Sequence, residues 1–334
     1  MRIVFSEGSG LNDSVYGKCQ APIKMFIEKQ GEEVERNSLL KNLFAMGTSE
    51  NYGDLMTSMT AMQGFDPVGE NGAYPEDGLQ EGYQKLLVYE TWKDSFAISR
   101  EMMEDNKIMD LKGQPAAFML GYKRTREMFG AAIYGAAITQ ASAANFRGKS
   151  FDVLAADGST LFATAHAPKV SGSNQCNVFS DAFSADALAS METTMHLFRG
   201  DDDNILDVAP DTILIPEITS LKKAVFAAIG ADKEPTTANN AFNYVYGRWN
   251  VIVWPYLNQY ITAGTAPWIL MDSKYNQTYG GAVWNDRIQL AVRSTVDENT
   301  DANVWRGRSR FNATFKDWRF AAIGGVAAGN ALSA

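Results

Sequence analysis

From Pro115 to Ala141 the chain repeats apolar side chains at helical spacing: Phe118, Tyr122, Phe129, Ile133 and Ala136 share one stripe, with Lys123, Arg126 and Glu127 off it. A helix of that length is a rod of roughly 40 Å. Nothing else in the chain has such reach, so the remaining segments must be arranged along it. Pro115 suits the first turn of this helix, where a missing N–H costs least. Gly121, Gly130 and Gly135 weaken it locally and mark close approach of another backbone rather than flexibility.

The first fifty residues are punctuated by Asn12, Asp13, Gly17, Pro22 and Gly31, and hold one amphipathic helix. It is expected over Glu32 to Met46 and stopped by Gly47. Its apolar side has no cover nearby in sequence, so this segment is an arm that packs on something distant. Residues 51–83 follow, rich in glycine, with Pro67 and Pro75 and acids at Asp66, Glu70, Glu76, Asp77 and Glu81. Long irregular segments of this kind are usually binding loops, lids or linkers. Gln84 to Ser99 reads as strand in partial alternation, so loop and strand together form a long extended hairpin that projects from the body. Ser99 is positioned as the N-cap of a short helix running to Met109, with Glu101, Glu104 and Asp105 in its first turns, interrupted by Gly113.

Strands are expected at Phe151–Leu154 and Leu161–Ala165 around an Asp157-Gly158 turn. A helix over Ser184–Phe198, a strand at Asp211–Ile215 and a helix from Glu217 to Ile229 capped by Gly230 come next. The remaining strands are Asn250–Trp254, Trp268–Met271, Ile288–Arg293 and Val304–Phe320, before a Gly/Ala-rich tail. The fold class is α+β.

Composition narrows the function. With 30 basic and 39 acidic residues the chain carries a net −9, which argues against a sequence-reading nucleic-acid binder. Hydrophobic residues make up 46%, the balance of a folded soluble protein. The uncharged stretch Met128–Phe146 is broken by Thr139, Gln140, Ser142 and Asn145 and does not read as a membrane span. The Met1 end offers no signal-peptide core, because Glu7 cuts short its apolar run. Cys19 and Cys176 are too few for a disulfide framework or a cysteine zinc site, and a reducing compartment is the simplest setting.

Each chemical motif has a plainer reading. Ala143–Ser150 matches a relaxed phosphate loop ending in Gly148-Lys149-Ser150, and Trp268–Asp272 could supply the aspartate such sites use for magnesium. A phosphate loop, however, needs a strand before it and a helix after it, and here the order is reversed. Asp201, Asp202 and Asp203, with Asp207 nearby, read as a solvated turn rather than a cation loop. His166 and His196 are the only histidines and read as structural. No catalytic, cofactor-binding or metal residue is therefore assigned, and no enzyme activity is expected.

The order of features resembles the major capsid protein of tailed bacteriophages, whose fold is shared with encapsulins. Glu81 to Asn106 resembles the return strand of the extended loop running into a helix that opens Ser99-Arg100-Glu101-Met102. Leu161-Phe-Ala-Thr-Ala-His-Ala-Pro168 is similar to a hairpin of a head-protein subgroup, with Ala167 inserted before the proline. Pro210–Pro216 followed by a helix resembles the start of the axial-domain core.

The resemblance implies an N-terminal arm (1–50), an extended loop (51–98) and a peripheral domain (99–177, completed by 304–334) built on the spine helix at 115–141. An axial domain (178–303) completes the subunit. It implies hexamers and pentamers tiling an icosahedral shell around double-stranded DNA that is contacted non-specifically, in a virion assembled in the bacterial host cytoplasm. It brings scaffold, portal and decoration proteins as possible partners, no membrane and no cofactor. Because Met1 leads straight into the arm, a separate scaffold protein or none is expected. Lys85 and Lys93 lie where some relatives crosslink, but no partner residue stands out and no crosslink is expected. An encapsulin-like compartment and, more remotely, a phosphate-loop NTPase are the alternatives.

Overall fold

In a computed structural model, the chain is described at residues 4–7, 14–59, 67–70, 72–74, 81–105, 108–230, 243, 245–262, 264–327 and 329–332. Strand β1 (Val4–Glu7) and helix α1 (Ser14–Arg36) come first, then a single turn α2 (Leu40–Leu43) and β2 (Ala45–Thr48). Strands β3 (Gly53–Met59) and β4 (Glu81–Val88) pair with each other, and β5 (Glu90–Ile98) follows β4 almost without a break. Helices α3 (Arg100–Glu104) and α4 (Ile108–Ile138) lead to a hairpin of β6 (Ala143–Phe146) and β7 (Lys149–Asp152). Next are α5 (Ala185–His196), β8 (Thr212–Ile215), α6 (Thr219–Ile229), β9 (Asn250–Val253), β10 (Trp268–Met271) and α7 (Ser273–Tyr279). The chain closes with β11 (Ala282–Asp297), β12 (Ala302–Phe315) and β13 (Ala321–Gly324).

Two sheets organise these elements, and the class is α+β as expected. The larger sheet runs β1-β11-β12-β5, with β2 also paired to β11. Its central pair is antiparallel and long, whereas β1 and β2 add to β11 in parallel at separate places along it. The smaller sheet runs β13-β10-β8-β9. Helix α4, about 46 Å long, lies against one face of the larger sheet. Phe118 meets Phe96 at 5.3 Å between ring centroids, and Phe129 meets Trp284 at 5.6 Å and Phe311 at 5.9 Å. Trp284, Phe311, Phe129 and Tyr134 are all fully buried, so the apolar stripe of the helix is the floor of the core. Further along, Tyr134 packs on Phe315 and Trp254 and donates its hydroxyl to the Leu43 carbonyl at 2.8 Å.

Several local expectations change. The spine helix starts at Ile108, passing through Gly113 and Pro115, so the proline sits inside it rather than in its first turn. Its packed stripe outweighs one missing hydrogen bond. The short helix before it ends at Glu104, with Ser99 as N-cap accepting from the Met102 amide at 3.3 Å.

The arm helix lies upstream of its expected place, over Ser14–Arg36, and carries Pro22 and Gly31 within it. Its continuation breaks near Ser38, whose hydroxyl donates to the Glu127 carboxylate at 2.8 Å, and Gly47 falls in β2. Residues 161–165 form no strand; the Asp157-Gly158 turn is present, flanked by an isolated bridge between Leu154 and Thr160.

The tail is not loose. Residues 321–324 form β13, the edge of the smaller sheet, paired to β10. Strand β11, expected as a short segment, has 16 residues and joins β12 in the larger sheet. Sheet partners thus cross the segment boundaries expected at 178 and 303.

Of the glycines in α4, Gly130 faces the Leu40, Phe44 and Trp254 side chains, and Gly135 faces Tyr260. Close approach holds at both, although it is side chain rather than backbone that approaches. Gly121 has only Asp94 near it, at 3.9 Å.

Candidate functional site

The structure gives each of the residues singled out for chemistry its own set of partners. Ala143–Ser150 is the β6–β7 hairpin, turning at Arg147 (φ 48°) and Gly148 (φ 79°). Both central residues of the turn have positive φ, the geometry that lets a two-residue turn follow the twist of its strands. No helix follows Lys149, whose ammonium pairs with Glu90 at 2.5 Å across to β5. Asp272 is the N-cap of α7, accepting from the Tyr275 amide at 2.8 Å and the Ala209 amide at 2.9 Å.

Asp201 is buried and bound by Arg319 at 2.8 Å. Asp202 accepts from Asn204, and Asp203 pairs with Arg199 at 3.2 Å. The three aspartates therefore face different partners. Among the described residues no cluster of histidine, cysteine, aspartate and glutamate could hold a metal ion.

His166 is buried between Asp157, 2.6 Å from Nδ1, and Asn177 Oδ1, 3.2 Å from Nε2, and stacks on Trp318 at 4.2 Å. The Asn177 amide group donates to the Leu161 and Ala321 carbonyls, which fixes its oxygen toward the ring. Burial works against the Asp157 charge, but hydrogen bonding and attraction from His166, with help from the Ser159 amide and Arg319, hold its carboxyl below the usual range. This ties the 157–177 loops to Trp318 and β13. His196 is half-exposed beside Asp207 at 3.0 Å. Cys176 is a free, partly buried thiol, while the Cys19 side chain lies outside what is described.

Two further charged groups hold the frame and were not singled out from sequence. Arg126 on α4 makes a two-pronged pair with Asp286 on β11, at 2.7 and 3.0 Å, and lies over Trp284 and Phe311. Burial opposes the Arg126 charge, but Tyr122 and Asp286 keep its pKa raised. Glu127, also buried, accepts from Ser38 Oγ at 2.8 Å, from the Leu39 amide at 3.1 Å and from Trp254 Nε1 at 3.1 Å. One carboxylate thus joins the arm, the spine helix and the strand end after β9. Lys123, Arg126, Glu127 and Asp286 share a polar cavity of about 470 Å³ with the arm residues Ser38, Lys41 and Met46–Thr48. A signal existed in sequence: ionisable residues at the margin of an apolar stripe are buried only when paired.

The extended hairpin is the other candidate surface. Among the described residues, strands β3 and β4 pair only with each other. On one face of this two-stranded ribbon, Leu55 and Leu86 sit directly opposite each other and are both exposed, at 61% and 59%. On the other face Lys85 and Leu87 are buried. Lys85 is engaged by Asp152, and Tyr83 and Lys169 tie the loop end of the ribbon, at Glu81–Tyr83, to the 167–169 segment. Asp54 accepts from Tyr89, Asn51, Ser49 and Asn285; burial opposes its charge, but these bonds hold its carboxyl below the ordinary value. The acids Asp66, Glu76 and Asp77 lie outside the described residues, while Glu70 is exposed. Lys93 is exposed on β5.

Among the described residues the ribbon pairs with no other strand, and the spine helix lies under a sheet. The sequence profile of a phage capsid protein family matches residues 89–324. The chain belongs to that phage capsid protein family. It is a structural shell subunit.

The match covers β5, the spine helix, the β11–β12 pair and the smaller sheet through β13. No curated protein sequence matches the chain. Among solved structures, one from Mycobacterium phage Patience is similar at 14% identity and a TM-score of 0.47, covering 100% of this chain and 95% of that one. A procapsid of bacteriophage JBD30 is similar at 13% identity and 0.47, covering 91% and 74%. The holo-SrpI encapsulin complex from Synechococcus elongatus PCC 7942 is similar at 10% and 0.48, covering 86% of each chain. At those identities the family assignment rests on the sequence match. Among the described residues no helix is long and apolar enough to cross a membrane.

Proposed function

We propose that this subunit assembles with copies of itself, as hexamers and pentamers, into an icosahedral bacteriophage head that encloses double-stranded DNA. The observation that carries the proposal is the phage capsid match across residues 89–324. The role needs no catalytic group, cofactor or metal: many modest, repeated contacts give a closed shell its stability. The functional segments we propose are an arm (1–50), an extended loop (51–98), a peripheral domain (99–177 with 304–334) and an axial domain (178–303). Strand β11, in the proposed axial segment, pairs with β12, most of which lies in the proposed peripheral segment. Contact with DNA would be non-specific, and scaffold, portal and decoration proteins are the partners such a head would use.

Electron microscopy of the purified protein at rising concentration, with light-scattering mass, tests this reading. Closed shells, rings or tubes are expected. A monodisperse monomer at every concentration, unchanged by a candidate scaffold protein, would overturn it.

A further inference from the structure

The ribbon of β3 and β4 needs support from the rest of the chain, because a two-stranded hairpin by itself is marginally stable in water. Lys85 and Leu87, buried on one face of it, supply that support nearer its base. At the loop end the contact is of another kind. The Lys169 ammonium donates to two adjacent carbonyls, of Glu81 at 2.8 Å and Gly82 at 2.6 Å, and lies 5.6 Å from the centre of the Tyr83 ring. The Tyr83 hydroxyl donates to the Ala167 carbonyl at 3.3 Å.

A regular strand does not offer two adjacent carbonyls to one atom, because successive carbonyls point to opposite edges. The Tyr83 carbonyl accepts from the Ser58 hydroxyl of β3 at 3.3 Å. In an unbroken strand the Glu81 carbonyl would share that direction; instead it turns to Lys169 beside the carbonyl of Gly82. The register of β3 and β4 shifts between Thr57 and Met59, which places a bulge at this point, and bulges re-aim the groups around them. Gly82 is needed as well. An added Cβ there would lie 2.1 Å from Ser58 Oγ and 2.9 Å from the Ser58 carbonyl oxygen. Bulge and glycine together make a cup of two carbonyls, and Lys169 fills it.

The other half of the contact is firmly mounted. The Val170 and Ser171 amides both donate to the Asp201 carbonyl, at 3.3 and 3.0 Å, and the Asp201 carboxylate is bound by Arg319. His166, three residues before Lys169, is buried between Asp157 and Asn177. Lys169 itself is exposed, so its bonds to the cup can open without disturbing the core.

We infer that Lys169 is a positioning residue for assembly: its ammonium, seated between the Glu81 and Gly82 carbonyls, latches the loop end of the ribbon to the subunit's own body and fixes the direction in which the extended loop leaves before subunits meet. This role rests on the shell-subunit reading. With the latch closed the ribbon is held at two levels, by Lys85 and by Lys169. With it open the loop end pivots about the contact between Lys85 and Asp152. A loop that is already aimed has less freedom to lose when subunits associate, and association is favoured accordingly.

Hydrogen exchange and assembly of the full chain, measured side by side, provide the test. Lys169→Met keeps an apolar stem and removes the charge, whereas Lys169→Arg keeps a cation with several donors. In Lys169→Met the ribbon amides at 57–59 and 81–84 should exchange about fivefold faster, the scale of an exposed charged contact. Exchange in β8 and β10 and the thermal melt should stay as in the wild type. The concentration needed for assembly, read by light scattering and electron microscopy, should rise about fivefold. Lys169→Arg should restore both properties.

Unchanged ribbon exchange in Lys169→Met, or faster exchange with normal assembly, would overturn the inference while leaving the shell reading intact. Failure of Lys169→Arg to restore either property would also overturn it, because the effect would then not belong to a cation in the cup. A wild-type protein that never assembles overturns the shell reading and, with it, the role of Lys169 in assembly.

Discussion

Replacing Gly135 by alanine should destabilise this protein, whereas the same replacement at Gly121 on the same helix should stabilise it. Within a helix, alanine is favoured over glycine by about 1 kcal/mol because glycine has more backbone freedom to lose. At Gly121 that gain is unopposed: an added Cβ would meet only Asp94 Oδ2, at 3.9 Å. At Gly135 the added Cβ would lie 2.2 Å from the Cβ of Tyr260 and 2.7 Å from its Cγ. Those atoms lie at the root of the side chain, so no rotamer change clears them, and the segment after the 3-10 helix Pro255–Gln259 must move off α4. Overpacking of that kind costs about 1–3 kcal/mol, occasionally more. Set against the helix gain, Gly135→Ala should lose about 1–2 kcal/mol net and Gly121→Ala should gain about 0.5–1 kcal/mol. In a chain of 334 residues, an unfolding entropy of about 2 cal/mol/K per residue makes each kcal/mol move Tm by about 1.5 °C. Thermal denaturation followed by circular dichroism should separate the two variants by several degrees, in opposite directions from wild type. If Gly135→Ala melts at or above the wild type, the close packing of Tyr260 on the spine helix is not what its glycine serves.

Asp286→Ala should cost about 3–5 kcal/mol in chemical denaturation, since it leaves the Arg126 guanidinium buried against Trp284 and Phe311 with its carboxylate partner gone. Asp157 and Asp54 are held below their ordinary pKa in the folded chain. The stability they contribute is therefore complete above about pH 4, where the unfolded carboxyls ionise, and is lost as pH falls through the lower folded values. A Tm profile from pH 7 downward should stay flat for these groups until about pH 4 and then drop, and Asp157→Asn should make that drop shallower. Lys149→Ala should change stability by less than about 0.5 kcal/mol, because its pair with Glu90 is solvent-exposed. Calorimetric titration of the wild type with ATP and magnesium should show no binding heat, and a saturable signal lost in Lys149→Ala would revive the phosphate-loop reading.

Periodicity determined the local elements that answer to a single rule. The spine helix, the strand at Trp268–Met271, the helix starting near Ser184 and the Ser99 cap follow from spacing and from a side-chain oxygen that satisfies a free amide. Reversed element order around Gly148-Lys149 was enough to argue against a phosphate loop, and the structure places these residues in a hairpin. The unbroken acidity of the 51–84 segment is likewise plain in the sequence. Tertiary structure decided what depends on distant partners. Glu127 and Arg126 look like solvated residues beside an apolar stripe until Ser38, Trp254 and Asp286 are brought to them from remote parts of the chain.

The arm helix ends earlier than its pattern suggests, just before Ser38, which is drawn to Glu127 by a bond no local window contains. The Gly/Ala-rich tail becomes a fully buried strand because β10 offers it an edge and Trp268 packs directly over Gly324. The juxtaposition of Lys93 with Arg308, and of Arg293 with Arg306, exists only in register, because hydrogen bonding between strands sets these cations side by side. Local rules choose helix or strand from neighbouring residues. Which charges are buried, which face is bare and which glycine is crowded are set by segments that meet only when the whole chain folds.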